Sequence, residues 1–147
     1  MAEGQKNMES LDAFIAKLSL GAASKFLIVL PSLFLIFHLL IIAGVLPHSI
    51  VWGGRLTDQT MLPFELLALV LNLLLMLVGG VAGGFVTSSV ARSVVARIQW
   101  FLFYFVVVNT VLALFSTTLF EVLLTPVTAI YAVCLYRIAR FGGVDVV

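Results

Sequence analysis

Four continuous apolar stretches, roughly Phe26–Leu46, Phe64–Val86, Trp100–Ser116 and Leu119–Tyr136, fill most of this 147-residue chain. A helix needs about 20 apolar residues to cross the hydrocarbon core of a bilayer. The first two stretches meet that length. The last two are shorter and meet in a tight connection near Ser116–Glu121, so two readings arise: separate helices, or one long hydrophobic region with a re-entrant turn. A segment from Trp100 to Tyr136 is far too long for one span at about 1.5 Å per residue, which favours two helices. Transmembrane β-strands alternate apolar and polar residues, and these runs do not. The expected fold is therefore an all-α integral membrane four-helix bundle over residues 26–140, with an N-terminal segment 1–25 and a C-terminal tail 141–147. Composition agrees: 63% of residues are hydrophobic and 10% charged, against about 25% charged in a soluble domain.

Orientation follows from the cations. Lys6, Lys17 and Lys25 precede the first stretch, Arg92 and Arg97 lie between the second and third, and Arg137 and Arg140 follow or close the fourth. Only Arg55 lies on the other side. Lys and Arg near span ends are retained in the cytoplasm, so both termini are expected inside. The net charge of +1 leaves no excess for nucleic acid, and the partner that composition implies is the lipid bilayer. The apolar run begins too late and runs too long for a cleaved signal peptide, so a retained first helix is expected. Ahead of it, Met8, Leu11, Phe14, Ile15 and Leu18 recur at helical spacing. That pattern fits an amphipathic helix on the inner membrane surface, or equally an extension packed on the bundle.

Cys134 is the one cysteine. It excludes a disulfide within the chain and reads as a small buried apolar residue. The sequence has no P-loop, zinc-ligand spacing or nucleophile elbow. His38 and His48 are too few and too far apart to make a metal site unaided. No cofactor and no metal are expected.

Attention then falls on polar groups inside the spans. Glu65, Asn72, Gly79 and Gly83 are spaced by seven, seven and four residues, which keeps them near one helical face. Gly79 with Gly83, and Gly80 with Gly84, form overlapping small-xxx-small pairs through which another helix approaches closely, either a span of this chain or a second copy. Glu65 and Glu121 both open spans at the non-cytoplasmic side. One reading has each cap its helix through the dipole; the other has them line the mouth of a polar cavity and exchange protons or hold a cation. Asn72 and Asn109 read first as hydrogen-bonding contacts between helices. His38 belongs to the one residue type that titrates near neutrality. Pro31 and Pro126, each about one turn into its span, free a backbone carbonyl. In the first outer connection, Trp52-Gly53-Gly54-Arg55 combines an interfacial aromatic, a pliable backbone and a cation, and Arg55 is expected to pair with Glu65 or Glu121.

Taken together, Ile50-Val51-Trp52-Gly53-Gly54-Arg55-Leu56, Phe64-Glu65, Asn109-Thr110, Phe120-Glu121, Thr125-Pro126 and Arg137 resemble a family of small four-span bacterial membrane proteins. The W-G-G-R loop and the F-E…T-P segment are the most distinctive elements. The resemblance covers the first span to Arg140. It implies four-span topology in a bacterial cytoplasmic membrane and the same choice of site residues, and it brings no activity with it.

The leading functional expectation is a non-enzymatic multi-pass protein with a polar site near the outer face. That site would handle a ligand, ion or proton through Glu65 and Glu121, with Asn72, Asn109, Arg55 and His38 beside them. Transport by so small a bundle requires self-association, for which the glycine face is a candidate contact. The competing class is an accessory subunit held by a membrane-protein partner. A lipid or quinone enzyme comes third, because only Glu65, Glu121, His38 and His48 supply acid–base groups.

Overall fold

The structure, a computed structural model, describes residues 2–87 and 92–141. Residues 142–147 of the C-terminal tail lie outside them. Five helices form in chain order: α1 Ala2–Ala16, α2 Leu20–Ile42, α3 Met61–Ala82, α4 Arg92–Ala113 and α5 Leu119–Phe141. Helices α2 to α5 have 22 or 23 residues each, or about 33–35 Å at the helical rise. All four are long and apolar enough to cross a membrane, and the chain is an integral multi-pass membrane protein with an all-α bundle fold. The break between Ala113 and Leu119 settles the question of the third and fourth stretches: they are two helices.

Local chemistry places the helix ends where hydropathy cannot. Ser19 caps α2, its hydroxyl accepting from the Ala22 N–H at 3.0 Å, so α2 starts six residues before the apolar run. It stops at Ala43 because Gly44 turns left-handed at φ 73° and the Val45 and Leu46 N–H groups return to Leu40 O. Gly84 repeats the device at the end of α3, with φ 70° and the Phe85 N–H closing on Gly80 O. The third span begins well before Trp100, at Arg92, and the fourth continues to Phe141. Pro31 consequently lies near the middle of α2, buried, rather than one turn from its end.

Two antiparallel pairs build the bundle. Helix α2 packs mainly on α3, and α4 on α5; α2 also meets α5, whereas α3 and α4 touch least. Gly79 explains the tight α2–α3 seam, since a Cβ there would stand 2.9 Å from both Leu27 Cβ and Ser24 O. Gly83 likewise faces the Ser24 side chain. The partner of this glycine face is thus α2 of the same chain. Gly80 and Gly84 serve the C-terminal turn instead, Gly80 lying under Val86.

The packing is densest toward the end that carries the termini. Ala23, Leu27, Val78, Leu135 and Ile138 are buried there with Cys134 among them, while Leu75, Val106 and Tyr131 of the same core reach the cavity wall. Helix α1 is amphipathic as its sequence suggests. It rests on α5 through buried Ile15 and through Asp12, whose carboxylate accepts from Tyr136 Oη at 2.7 Å. Met8, Leu11 and Phe14 remain exposed. The other half of the bundle, toward the α2–α3 and α4–α5 connections, holds a cavity.

Candidate functional site

Glu65 is the fifth residue of α3 and is 0% exposed. An isolated carboxylate in an apolar interior is untenable, and two neighbours answer it. His38 Nδ1, one turn from the end of α2, lies 2.6 Å from Oε2, and Trp52 Nε1 donates to Oε1 at 3.0 Å. At 2.6 Å a hydrogen must lie between nitrogen and oxygen, carried by the imidazole or by the carboxyl group. Among the described residues neither partner is an N–H of its own helix, whose N-cap position is Thr60, so Glu65 is not a helix cap.

Trp52 reaches Glu65 because the connection doubles back. Trp52, Gly53 and Gly54 have consecutive positive φ angles of 54°, 68° and 67°. Glycine adopts that region freely, whereas a tryptophan there is strained and persists only when its surroundings hold it. The hold is visible: the indole N–H is bonded to Glu65, and the ring packs edge-on against Phe64 with centroids 5.2 Å apart.

The second carboxylate clasps the two connections together. Glu121, in the first turn of α5, accepts from the Gly53 N–H at 2.9 Å, from Thr118 Oγ1 at 3.0 Å and from Ser116 Oγ. Thr117 Oγ1 donates in return to Gly53 O at 2.7 Å. Both backbone groups of Gly53 are therefore tied to the α4–α5 connection. Glu121 also sits where the helix dipole favours an anion, so the capping and site readings describe one residue with two roles.

Beneath this clasp lies a cavity of about 550 Å³, within reach of all four spanning helices. Phe34, Phe37, Phe105, Phe115 and Phe120 supply much of its wall; His38, Asn72, Asn109, Glu121 and Thr128 supply the polar points. Phe37 and Phe120 stack at 5.2 Å across the α2–α5 contact. Such a volume, with apolar walls and a few convergent polar groups, is characteristic of a small-molecule site. Among its lining residues, Val108, Asn109 and Leu112 of α4 and Arg55 and Phe115 of the connections are exposed.

Most of the residues singled out in the sequence are brought together, but not always as expected. Glu65 and Asn72 do share a face, yet Glu65 stands behind His38 and Trp52 rather than lining the mouth. Arg55 is exposed at the cavity rim, and among the described residues no ion pair joins it to Glu65 or Glu121. Glu65 is instead bonded to His38 and Trp52, and Glu121, through Oε2, to Gly53, Ser116 and Thr118. His48 instead approaches Asp58 at 3.7 Å, away from the cavity lining. Asn72 donates to Ala68 O of its own helix at 2.8 Å and so is not a bond between helices. That task falls to hydroxyls: Thr110 Oγ1 on α4 lies 2.9 Å from Thr128 Oγ1 on α5.

Four participants escaped sequence reasoning. Trp52 read as an interfacial anchor, and Ser116 and Thr118 received no role beyond falling in the connection Ser116–Glu121. Tyr131 is the fourth: it lines the cavity, is 4% exposed, and its buried hydroxyl has no hydrogen-bond partner among the described residues. A signal for it existed, since Glu121, Leu124, Thr128 and Tyr131 recur at helical spacing on one face of α5. No family model, curated protein or solved structure matches this chain.

Proposed function

We propose that this protein binds a small ligand in the cavity between its spanning helices and that His38, backed by Glu65, exchanges a proton there. The observation that carries the reading is the placement of Glu65: fully buried, 2.6 Å from an imidazole that itself lines the cavity. Replacing a buried ion pair by packed apolar residues is often neutral or stabilising, so packing alone gives no reason for this arrangement. With Nδ1 engaged by the carboxylate, the ring is held in one orientation and Nε2 is the remaining nitrogen. A carboxylate behind a histidine is a common way to fix its tautomer and raise its basicity. The positive-inside argument places this half of the bundle toward the outer face. The other charged groups on the cavity wall or rim are Glu121 and Arg55.

The test needs no ligand. With histidine labelled by ¹⁵N in protein reconstituted into nanodiscs, the His38 ring should gain and lose a proton reversibly as pH is varied. Glu65→Gln should alter that exchange while leaving His48 unaffected. A His38 ring locked in one form over the whole range, in both proteins, would sink the proposal.

A further inference from the structure

The hydrogen-bonding capacity left over in the cavity wall selects the kind of ligand it takes. Glu121 lines the cavity, and one of its oxygens, Oε2, receives all three of its donors: the Gly53 N–H, Thr118 Oγ1 and Ser116 Oγ. Oε1 has no partner among the described residues. Nor is it sealed, because the buried side-chain atoms without a partner among those residues are Ser24 Oγ, Tyr131 Oη and Arg137 Nη1. Glu121 therefore keeps an accessible carboxylate oxygen. Asn72, two turns along α3 from Glu65, repeats the pattern. Its amide nitrogen is committed to Ala68 O, while Oδ1 is unpartnered and is not one of the sealed atoms. Thr128 is already occupied, since its hydroxyl accepts from Thr110 Oγ1 and donates to Thr125 O. Asn109, exposed on α4, is the one cavity amide with donors and acceptor both unused among the described residues. The capacity that remains is weighted toward acceptors, and one of them is a carboxylate.

The rest of the wall is largely aromatic. Phe37 and Phe120 stack at 5.2 Å across the α2–α5 contact, and Phe34, Phe105 and Phe115 extend that surface. An aromatic face is the negative side of the ring quadrupole and attracts a cation, most strongly where water is scarce. An anion would be repelled by those faces and by Glu121 together. Arg55, the one Lys or Arg in the lining, stands exposed at the rim, where salt and water screen it. Flat rings also pack well on such walls, offset or edge-on.

We infer that the cavity binds an amphipathic organic cation, a protonated amine on a ring-bearing apolar body, with its N–H toward Glu121 Oε1 and its body against the phenylalanines. The volume of about 550 Å³ lies within the roughly 300–1,000 Å³ of pockets that take drug-sized molecules. The inference rests on the reading of the cavity as a ligand site and names its occupant. It concerns binding alone.

The experiment compares three acridines of like shape on the full chain in phosphatidylcholine nanodiscs at neutral pH. They are 9-aminoacridine, which is a cation there, acridine, which is neutral, and acridine-9-carboxylate, which is an anion. Binding is read by fluorescence polarisation, with empty nanodiscs subtracted. The expected result is saturable binding of 9-aminoacridine, about tenfold tighter than that of acridine. Glu121→Gln should weaken it about tenfold, the worth of one hydrogen bond to a charged group. That substitution keeps an amide oxygen for the Gly53 N–H and puts a neutral nitrogen in place of Oε1. Should it fold poorly, the three acridines on the wild-type chain carry the test alone. Binding that never saturates, or an unchanged affinity in folded Glu121→Gln, overturns the inference. Acridine bound as tightly as 9-aminoacridine overturns the cation assignment, yet leaves the cavity as a ligand site. Acridine-9-carboxylate bound tightest overturns it too and moves the anchor to Arg55. The His38 titration is read without any ligand, so it fails or succeeds independently of all these outcomes.

Discussion

The two halves of the bundle answer the same problem, a charge inside a membrane protein, in opposite ways. Toward the termini, Arg137 is 7% exposed and is held by the Leu18 carbonyl, which accepts from Nε at 2.8 Å, and by the ring of Phe141, 5.1 Å from the guanidinium carbon. Its surroundings are the packed core: Leu135 and Ile138 are buried beside it in sequence, and Gln99 donates to Leu135 O at 3.1 Å. Toward the connections, Glu65 is more deeply buried still, but its partners are a histidine and an indole that both line a cavity. Arg137 satisfies the carbonyl left free where α1 gives way to α2. It is a strut. Glu65 stands behind His38, which lines the cavity. Burial of a charge therefore does not by itself mark a site; the chemistry of its partners and the space beside them do.

That contrast is open to direct attack, and the largest effect is expected at Glu65. Glu65→Ala leaves the half-buried His38 and Trp52 ring nitrogens without their shared partner and should cost about 3–5 kcal/mol in reversible unfolding, the scale of a broken buried pair. It should also alter the proton exchange of the His38 ring. Arg137→Met retains an apolar stem and leaves only the Leu18 carbonyl unpaired, at about 1–3 kcal/mol. The proton exchange of its His38 ring should match the wild type. An altered exchange in Arg137→Met, in protein that is still folded, would erase the distinction between strut and site.

A smaller and purely steric effect is expected at the seam that organises the core half. Gly79→Ala places a methyl 2.9 Å from the Ser24 carbonyl oxygen and from Leu27 Cβ. Backbone cannot yield as a flexible side chain does, so α2 and α3 must separate, at about 1–3 kcal/mol. Gly80→Ala meets only Val86 Cγ2, at 3.0 Å, and should cost less. Equal losses at the two positions, measured by unfolding in the same bicelles, would mean that helix propensity rather than the α2–α3 approach controls this stretch.

What the sequence revealed follows the same division. Periodicity within one helix was legible: the seven-residue step from Glu65 to Asn72 put both on the face that turns inward. The span count was legible too, because continuous apolar length is a local property. Pairing between helices was not. His38 and Glu65 are 27 residues apart, and nothing local to either announces the other. Arg55 looked like the natural counter-ion on charge alone, but it stands exposed at the cavity rim while Glu65 is bonded to His38 and Trp52, and Glu121 to Ser116, Thr118 and the Gly53 amide. Likewise a hydropathy scale registers Gly44 and Gly84 as mildly apolar, blind to the positive φ with which they end α2 and α3. Tyr131 was hidden for a different reason. An unpartnered hydroxyl is defined by what surrounds it, and one strand of sequence carries no record of an absence.

The smallest expected effect sharpens the comparison most, because it separates the turn from the pair. Thr117 Oγ1 makes one hydrogen bond to Gly53 O and is itself exposed, so Thr117→Ala should cost only about 0.5–1.5 kcal/mol. The Glu121 bond to the Gly53 N–H survives it. What should change is the time the Trp52–Arg55 turn spends lifted from the cavity, read as faster amide hydrogen exchange across residues 51–55, with α1, α2 and the buried ends of α3 and α5 unaltered. Faster exchange at 51–55 with the proton exchange of the His38 ring unaltered would separate the turn over the cavity from the buried pair beneath it. A change in both would join turn and pair in one unit.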